Sequence, residues 1–219
     1  YEKYKSPSGE TLYATVGFAH VYQYYAYPQH TRPRIAQILI LPTFARMGLG
    51  AELLKSIYRH YIGRDDVKDI TVEDPAVEFQ RVRDYVDAEN CMTLPSFRRE
   101  NLIGNFNKEM ANEAQQKFKI NRRQARRVYE ILRLKITDMS NEEEYREYRL
   151  NVKRRLNIPF KRGSQDVRKL ESALRDMDRK GPLPMLSSEQ RMQALDKEYR
   201  ELETEYKKVI QRLEVKSEE

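Results

Sequence analysis

Two places in this sequence carry residues whose types and spacing suit chemistry. The first is Glu73-Asp74-Pro75, directly after the short β-rich run at residues 68–72 (KDITV). Open α/β sheets place ligand sites at the carboxyl ends of their strands, and a proline stops the strand there, so both acids are expected in a crevice. A carboxylate so placed can accept the proton of an incoming ammonium once burial or a neighbouring carboxylate strengthens it as a base. The competing reading is a pair of solvated acids capping the helix expected from about Ala76, with Asp74 as the cap. The second place is Gly48-Leu49-Gly50, at the start of an amphipathic stretch. Glycines there let a ligand approach the backbone, and the free N–H groups and dipole of a helix start favour a pyrophosphate. Arg46 adds a positive charge nearby. A plain strand-to-helix connection accounts for two glycines equally well.

Dinucleotide binding is disfavoured, although Glu73 follows the glycines at about the spacing of a ribose-binding acid. The third glycine position is Leu53, and residues 42–47 separate the preceding strand from the first glycine, where that motif needs an immediate turn. Cys91, the only cysteine, has no histidine or acid motif around it and reads as a structural thiol rather than an acyl-accepting nucleophile. Tyr22, Tyr24, Tyr25 and Tyr27 could wall a channel for an aliphatic lysine stem, but alternating aromatic residues on a strand more often form core and cross-strand packing.

The elements that must hold these residues follow from the patterning. Residues 10–27, rich in Tyr, Val, Thr and Phe after the turn signal Ser6-Pro7-Ser8-Gly9, predict one or two strands. Residues 34–41 (RIAQILIL) are nearly continuously apolar between Pro33 and Pro42, which suits a strand buried on both faces. Leu53, Leu54, Ile57, Tyr58 and Tyr61 fall at helical spacing within residues 49–62, and residues 68–72 supply the next strand, completing a βαβ unit. Beyond Pro75 the pattern is helical: residues 77–86, 109–118, 122–136 and 142–156. In the last helix Met192, Leu195, Tyr199, Leu202, Tyr206, Val209 and Leu213 alternate steps of three and four, and Ser187 with Gln190 makes a capping box. Val167, Leu170, Leu174 and Met177 repeat that spacing before the breaker Gly181-Pro182-Leu183-Pro184, so a helical hairpin is expected, with an intermolecular coiled coil as the alternative.

Composition bounds the rest. The 219 residues suffice for one or two domains, and 41 Lys plus Arg against 34 Asp plus Glu leave a net charge of +7, compatible with a nucleotide-bearing ligand. A single cysteine excludes an internal disulfide and points to a reduced cytoplasmic or nuclear setting; the three histidines are too dispersed for a metal motif, so no metal is expected. No apolar run reaches the ~18 residues that span a bilayer, nothing at the start reads as a signal peptide, and the opening reads as the interior of a domain. Residues 117–135 hold eight basic side chains (Lys117, Lys119, Arg122, Arg123, Arg126, Arg127, Arg133, Lys135) against Glu130. Direct nucleic-acid binding is nevertheless not expected, because Ala125, Val128, Ile131 and Leu132 make an apolar stripe that the same helix must bury, with few aromatic residues for base stacking. The basic face is assigned to solvation or to cofactor phosphates.

Three stretches carry a family resemblance: YATVGFAHVYQYYAYPQHTRPRIAQILILPTFARMGLGAELL, DITVEDP and EAQQKFKINRRQARRVYEILRLKITDMS. They resemble the type B histone acetyltransferases of the GNAT superfamily. The resemblance implies a GNAT-like α/β acetyltransferase sheet with a βαβ cofactor unit over residues 1–106, followed by an all-helical carboxy-terminal region over residues 107–219. It implies acetyl-CoA as cosubstrate, with Ile38, Leu39 and Ile40 pairing their backbone with the pantetheine arm. Ala45, Arg46, Met47, Gly48, Leu49 and Gly50 would wrap the pyrophosphate. Glu73 would be the general base with Asp74 assisting, and Tyr22, Gln23 and Tyr24 would contact the histone tail. It further implies the tail of histone H-four, alone or in histone dimers, as substrate, a WD-repeat histone chaperone as partner, and residence in cytoplasm and nucleus. Two departures from the pattern stand out. Ala45 occupies a loop position usually held by Gln or Arg, and the family's large amino-terminal region, with a further catalytic glutamate, precedes anything matching Tyr1. A noncatalytic interaction scaffold that keeps only the helices is the second reading.

Overall fold

Ser6-Pro7-Ser8-Gly9 turns the chain between two strands rather than ahead of the first. In the computed structural model, which describes residues 1–175 and 187–218 and the side chains outside 161–186 and 216–219, β1 (Glu2–Lys5) pairs antiparallel with β2 (Thr11–Ala14). A second hairpin joins β3 (Gly17–Ala26) to β4 (His30–Ile40). Gly17 is a position of close approach: a Cβ there would lie 2.2 Å from the carbonyl oxygen of Leu39. From β4 the chain passes through a short 3-10 turn (Pro42–Phe44) into α1 (Leu49–Ile62) and returns as β5 (Thr71–Val72), parallel to β4. The βαβ unit is therefore present, in a sheet ordered β3-β4-β5.

Two expectations for these strands are corrected. Residues 68–72 do not form one continuous strand: Thr31 bridges to Val67, and regular pairing resumes only at Arg34 with Thr71. Pro33 lies between these contacts and has no N–H to carry the ladder across the gap. Nor is β4 buried on both faces. Ile35 is buried, but Gln37 and Leu39 are exposed, Leu39 at 44%, because among the described residues no second layer covers that face.

The helices after Pro75 are α2 (Val77–Met92), α3 (Arg99–Leu102), α4 (Lys108–Phe118), α5 (Arg122–Ile136), α6 (Glu142–Arg175) and α7 (Ser188–Glu218). Caps explain several starts: the side chains of Asn107 and Asn121 accept from the Met110 and Gln124 N–H groups, and Ser187 and Gln190 bond each other reciprocally. α2 runs past the predicted residue 86. Residues 83–88 are all buried, so the helix has no solvated face from which a periodic pattern could be read. α6 likewise runs past residue 156 and carries Pro159 within it. No described helix is long and apolar enough to cross a membrane.

Two compact units result. The first, Tyr1–Leu132 with Val209–Glu219, packs Ile35, Leu54, Ile70, Val86, Met110 and Val128 in its core. Burying side chains of this size contributes about 1.5–3 kcal/mol each. The second, Arg133–Lys208, buries Tyr148, Val152 and Leu156 on α6 and Leu195, Tyr199 and Tyr206 on α7, and Glu203 accepts from the hydroxyls of Tyr145 (2.6 Å) and Tyr199 (2.9 Å). The seam of the last helix is thus largely buried within the chain, although Met192 is exposed. Met177 and the breaker at residues 181–184 lie outside the described residues, as do the side chains of Val167, Leu170 and Leu174.

The first unit buries a charged network on α2. Asp84 accepts from Gln80 Nε2 (2.7 Å), Gln124 Nε2 (3.0 Å) and Arg127 Nε (2.7 Å), tying α2 to α5. One turn along, Asp87 Oδ2 lies 3.4 Å from Arg83 Nε and against the Tyr58 hydroxyl of α1, while Arg83 Nη2 donates to the Ile70 carbonyl at 3.1 Å. Burial pushes the Asp87 carboxyl up to about 6, against the opposing pull of the Arg83 charge. The folded state therefore holds a proton between the ordinary carboxylate value and about pH 6 that the unfolded chain has lost. The stability this proton confers is complete below that window and disappears as pH rises through about 6. Measured by circular dichroism melting, wild type should gain on Asp87→Asn between pH 7.5 and pH 5, by at most ~1.4 kcal/mol per pH unit. A pH-independent difference between the two proteins would mean that Asp87 does not titrate there.

Candidate functional site

The last regular rung of the sheet is the bond from the Glu73 N–H to the Ile35 carbonyl, 3.0 Å long. Past it, β4 continues for five residues to Ile40 while the other chain turns away into Asp74-Pro75. The divergence opens a cleft of about 380 Å³ whose lining includes Ile38, Leu39, Glu73, Asp74, Phe18 and Phe79. Ile38 and Leu39, two of the three residues predicted on β4, and the two predicted acids therefore share one cavity. Asp74 holds a φ of 31°, a conformation rare outside glycine, as the chain swings from strand to helix. Neither acid caps α2: its N-cap is Ala76, with no side-chain bond, so the capping reading of Asp74 is corrected. Both carboxylates are exposed, and the desolvation that would strengthen a base must come from whatever fills the cleft.

The backbone of β4 is suited to an extended ligand. The Leu41 N–H donates to the Val16 carbonyl, which sets the alternation along the β3–β4 pairing. Leu39 and Gln37 then turn their amides toward β3, and Ile38 and Ile40 turn theirs toward the opposite edge. Among the described residues no strand pairs with that edge beyond Ile35. A bulge helps set the switch: Val21 pairs with Ile35 and His20 with Gln37, so Ala36 is the additional residue on β4.

The glycine loop lies next along the chain. Gly48 is the N-cap of α1 with φ 80°, the left-handed region that glycine adopts without cost, and Arg46 is also left-handed at φ 63°. The Gly48 carbonyl accepts from the Ala51 and Glu52 N–H groups. Arg46 and Met47 are exposed on the loop with Ala45. A Cβ added to Gly50 would meet only Ile40 Cγ1, at 4.0 Å, which places the helix start beside the end of β4. Ile40 and residues 45–50 are not part of the cleft lining itself.

Tyr22, Gln23 and Tyr24 lie on β3, away from the lining of the cleft. The expectation that the tyrosines pack as core is corrected: Tyr22 is 49% and Tyr24 43% exposed. They form a ladder on one sheet face, with ring centroids 4.3 Å apart for His20 and Tyr22 and 6.3 Å for Tyr22 and Tyr24, and the Arg34 guanidinium 4.7 Å from the Tyr24 ring. Phe18 continues the same face into the cleft. Sequence reasoning passed over Phe18, Arg34 and Phe79; strand alternation could have found Phe18 and Arg34, whereas Phe79 needs the third dimension.

The basic run around α5 is not simply a solvated face. Arg126 bonds Glu130 and lies over the Phe106 and Tyr129 rings, Arg127 bonds buried Asp84, and Arg133 bonds Glu147 at 3.1 Å. Cys91 is buried, and burial pushes its thiol well up, which disfavours the nucleophilic thiolate. Among the described residues no group of three or more His, Cys, Asp or Glu side chains is arranged to hold a metal ion.

Comparison with known proteins adds an independent line. Residues 83–134 match the family model for the carboxy-terminal part of the histone acetyltransferase type B catalytic subunit. Proteins named histone acetyltransferase type B catalytic subunit from Rattus norvegicus and Homo sapiens are each 46% identical over 213 residues, covering 97% of this chain and 51% of the relative. One from Dictyostelium discoideum is 38% identical over 172 residues, covering 74% of this chain and 34% of the relative. The chain spans about half the length of the curated relatives it matches. Over 97% of its residues the chain is thus similar to type B histone acetyltransferase catalytic subunits, along the half of their length that it shares with them.

Proposed function

We propose that this chain is the acetyl-CoA-binding portion of a histone lysine acetyltransferase, built as a GNAT-like core at residues 1–106 with a helical region at residues 107–219. The observation that carries the reading is the unpaired β4 edge facing Glu73 and Asp74 across one cleft, in a chain 46% identical to proteins of that name. The backbone amides of Ile38 and Ile40 offer the donors and acceptors that a pantetheine arm requires, with Leu39 beside them. Ala45, Arg46, Met47, Gly48, Leu49 and Gly50 surround the α1 N-terminus, where N–H groups and the helix dipole suit a pyrophosphate. Acetyl-CoA supplies the acyl group as an activated thioester.

Glu73 takes the proton of the lysine ammonium, so that the neutral amine forms its bond to the acyl carbon; as the bond to sulfur breaks, the nitrogen gives up its extra proton and CoA leaves as the thiol. Asp74 assists, and a β4 N–H faces the developing oxyanion. Tyr22, Gln23 and Tyr24 hold the tail peptide, whose aliphatic lysine stem suits the exposed tyrosine faces. The substrate is the histone H-four tail, alone or in histone dimers, with a WD-repeat histone chaperone as partner, in cytoplasm and nucleus. No metal, nucleic acid or membrane enters the scheme.

Gly50 isolates the cofactor loop from the fold. Its Cβ position is open, so Gly50→Ala and Gly50→Val should melt at or near the wild-type temperature, yet lose about tenfold or more in CoA affinity by isothermal titration as the backbone approach is obstructed. Unchanged affinity in folded variants removes the loop from the site, and failure of the wild type to bind acetyl-CoA would favour the noncatalytic scaffold.

Glu73→Gln keeps the shape and removes the proton acceptor. In the full-length protein, turnover on a histone-tail peptide should fall by about 10² to 10⁴ with CoA affinity nearly unchanged, and the acidic limb of the pH profile, where protonation silences the base, should flatten. Wild-type turnover in this variant transfers the role to another acid.

The chain alone should bind CoA but transfer acetyl poorly, because the resemblance places one wall of the peptide groove and one catalytic acid in the region that precedes this segment in its relatives. Joining that region should raise transfer more than CoA affinity. Robust, lysine-specific radiolabel transfer by the chain alone would contradict this division of labour.

A further inference from the structure

Ile70 is the residue immediately before the strand carrying the two acids joins the regular ladder at Thr71. Its N–H donates to the Lys119 carbonyl at 2.8 Å, it bridges to Ile120, and its own carbonyl accepts from Arg83 Nη2 at 3.1 Å. Pro33 cannot supply the rung that would otherwise hold this stretch to β4. Three residues later comes Glu73, fastened to Ile35 by a single backbone bond. The height of the acid above the cleft floor therefore depends on what holds Ile70.

Arg83 is built to hold it. The side chain is only 5% exposed and lies between the carboxyl of Asp87, the Tyr58 hydroxyl and the Ile70 carbonyl. Desolvating a guanidinium this completely is costly, and a methylated or aliphatic side chain would fill the space more cheaply if packing were the only requirement. What the guanidinium adds is a rigid planar fork that hydrogen-bonds the Ile70 carbonyl through Nη2 while its Nε stands 3.4 Å from the Asp87 carboxylate as an ion pair. Through Tyr58 it touches α1, the helix that begins at the glycine loop, and through Ile70 it touches the strand that ends at Glu73. One buried cation thus links the two halves of the site, about ten residues from either acid in sequence and outside the cleft lining.

We propose that Arg83 is a positioning residue for Glu73: anchored by Asp87, its guanidinium holds the Ile70 carbonyl and so sets where the acid stands over the cleft. The proposal rests on the reading of Glu73 as the base. Lysine cannot bond Ile70 and Asp87 with the same fixed geometry, and displacement of a reacting group by about 1 Å costs up to about 10²-fold in rate.

The test compares wild type, Arg83→Lys, Glu73→Gln and the double variant in the full-length protein, using acetyl-CoA and a histone H-four tail peptide. Arg83→Lys should lower kcat by about 10- to 100-fold, leave KM for acetyl-CoA within about twofold, and speed amide exchange at residues 71–74 more than in α1. In the Glu73→Gln background the same change should lower kcat by less than about twofold, because the acid it positions is already gone. If Glu73→Gln alone is harmless, the reading of the base fails and the proposal with it. If Glu73→Gln is damaging but Arg83→Lys lowers kcat by the same factor in both backgrounds, or weakens CoA binding in proportion, the base stands and Arg83 is merely structural. Where Arg83→Lys does not fold, Asp87→Asn takes its place, since it removes the anchor and keeps the guanidinium, and the same comparison of backgrounds decides.

Discussion

A single backbone bond, from the Glu73 N–H to the Ile35 carbonyl, is where the sheet stops being a sheet and begins to be a site. Up to that bond, β4 has a neighbour on each side; beyond it, the chain that carries Glu73 and Asp74 departs and β4 runs on to Ile40 with only β3 beside it. Unpaired backbone groups at a strand edge invite another extended chain, and proteins ordinarily cover or blunt such edges. Here the edge opens instead into a cleft with two carboxylates on its far wall. The same divergence forces Asp74 to a positive φ, so a small backbone strain accompanies the geometry that brings the acids to face the strand.

The divergence needs support from behind, and the first unit supplies it with buried charge. Asp84 accepts from two amides and an arginine, and Arg83 reaches from α2 to the Ile70 carbonyl. Buried ion pairs of this kind are weak sources of net stability, because desolvation offsets most of the attraction; removing one partner, however, strands the other and costs about 3–5 kcal/mol. Such a network enforces a particular arrangement more than it stabilises the fold. It also accounts for much of the basic character of α5, whose Arg126 and Arg127 are engaged with Glu130, aromatic rings and Asp84. A high count of Lys and Arg in one segment therefore described internal wiring as well as surface.

The second unit is held by a different balance. Its α6–α7 seam is apolar and aromatic, with tyrosine hydroxyls collected on Glu203 and a Lys153–Asp196 ion pair at its margin. Tyrosine suits such a seam because the ring packs while the hydroxyl finds a polar partner. Among its described residues nothing resembles the cleft chemistry of the first unit, and its regular three-four spacing is legible in the sequence itself.

What could be read from residues alone was whatever obeys a local period or a local rule. The bounds of α1 and α5, the capping box at Ser187 and Gln190, the βαβ order, and the placing of Glu73-Asp74 at a strand end all follow from spacing, caps and breakers that act within a few residues. The tertiary structure decided the rest. The extent of α2 was hidden because a helix buried all round shows no period, and the exposure of Leu39, Tyr22 and Tyr24 was hidden because apolar residues report a buried face only when another layer covers them. Pro33 interrupted the β4–β5 ladder through its missing N–H, a local fact whose effect fell on a strand some 35 residues away. The partners of Arg83 and Asp84 were beyond reach for the same reason: hydrogen bonds between side chains and groups 13 to 43 residues apart are set by how helices and strands pack, and no periodicity along the chain records that.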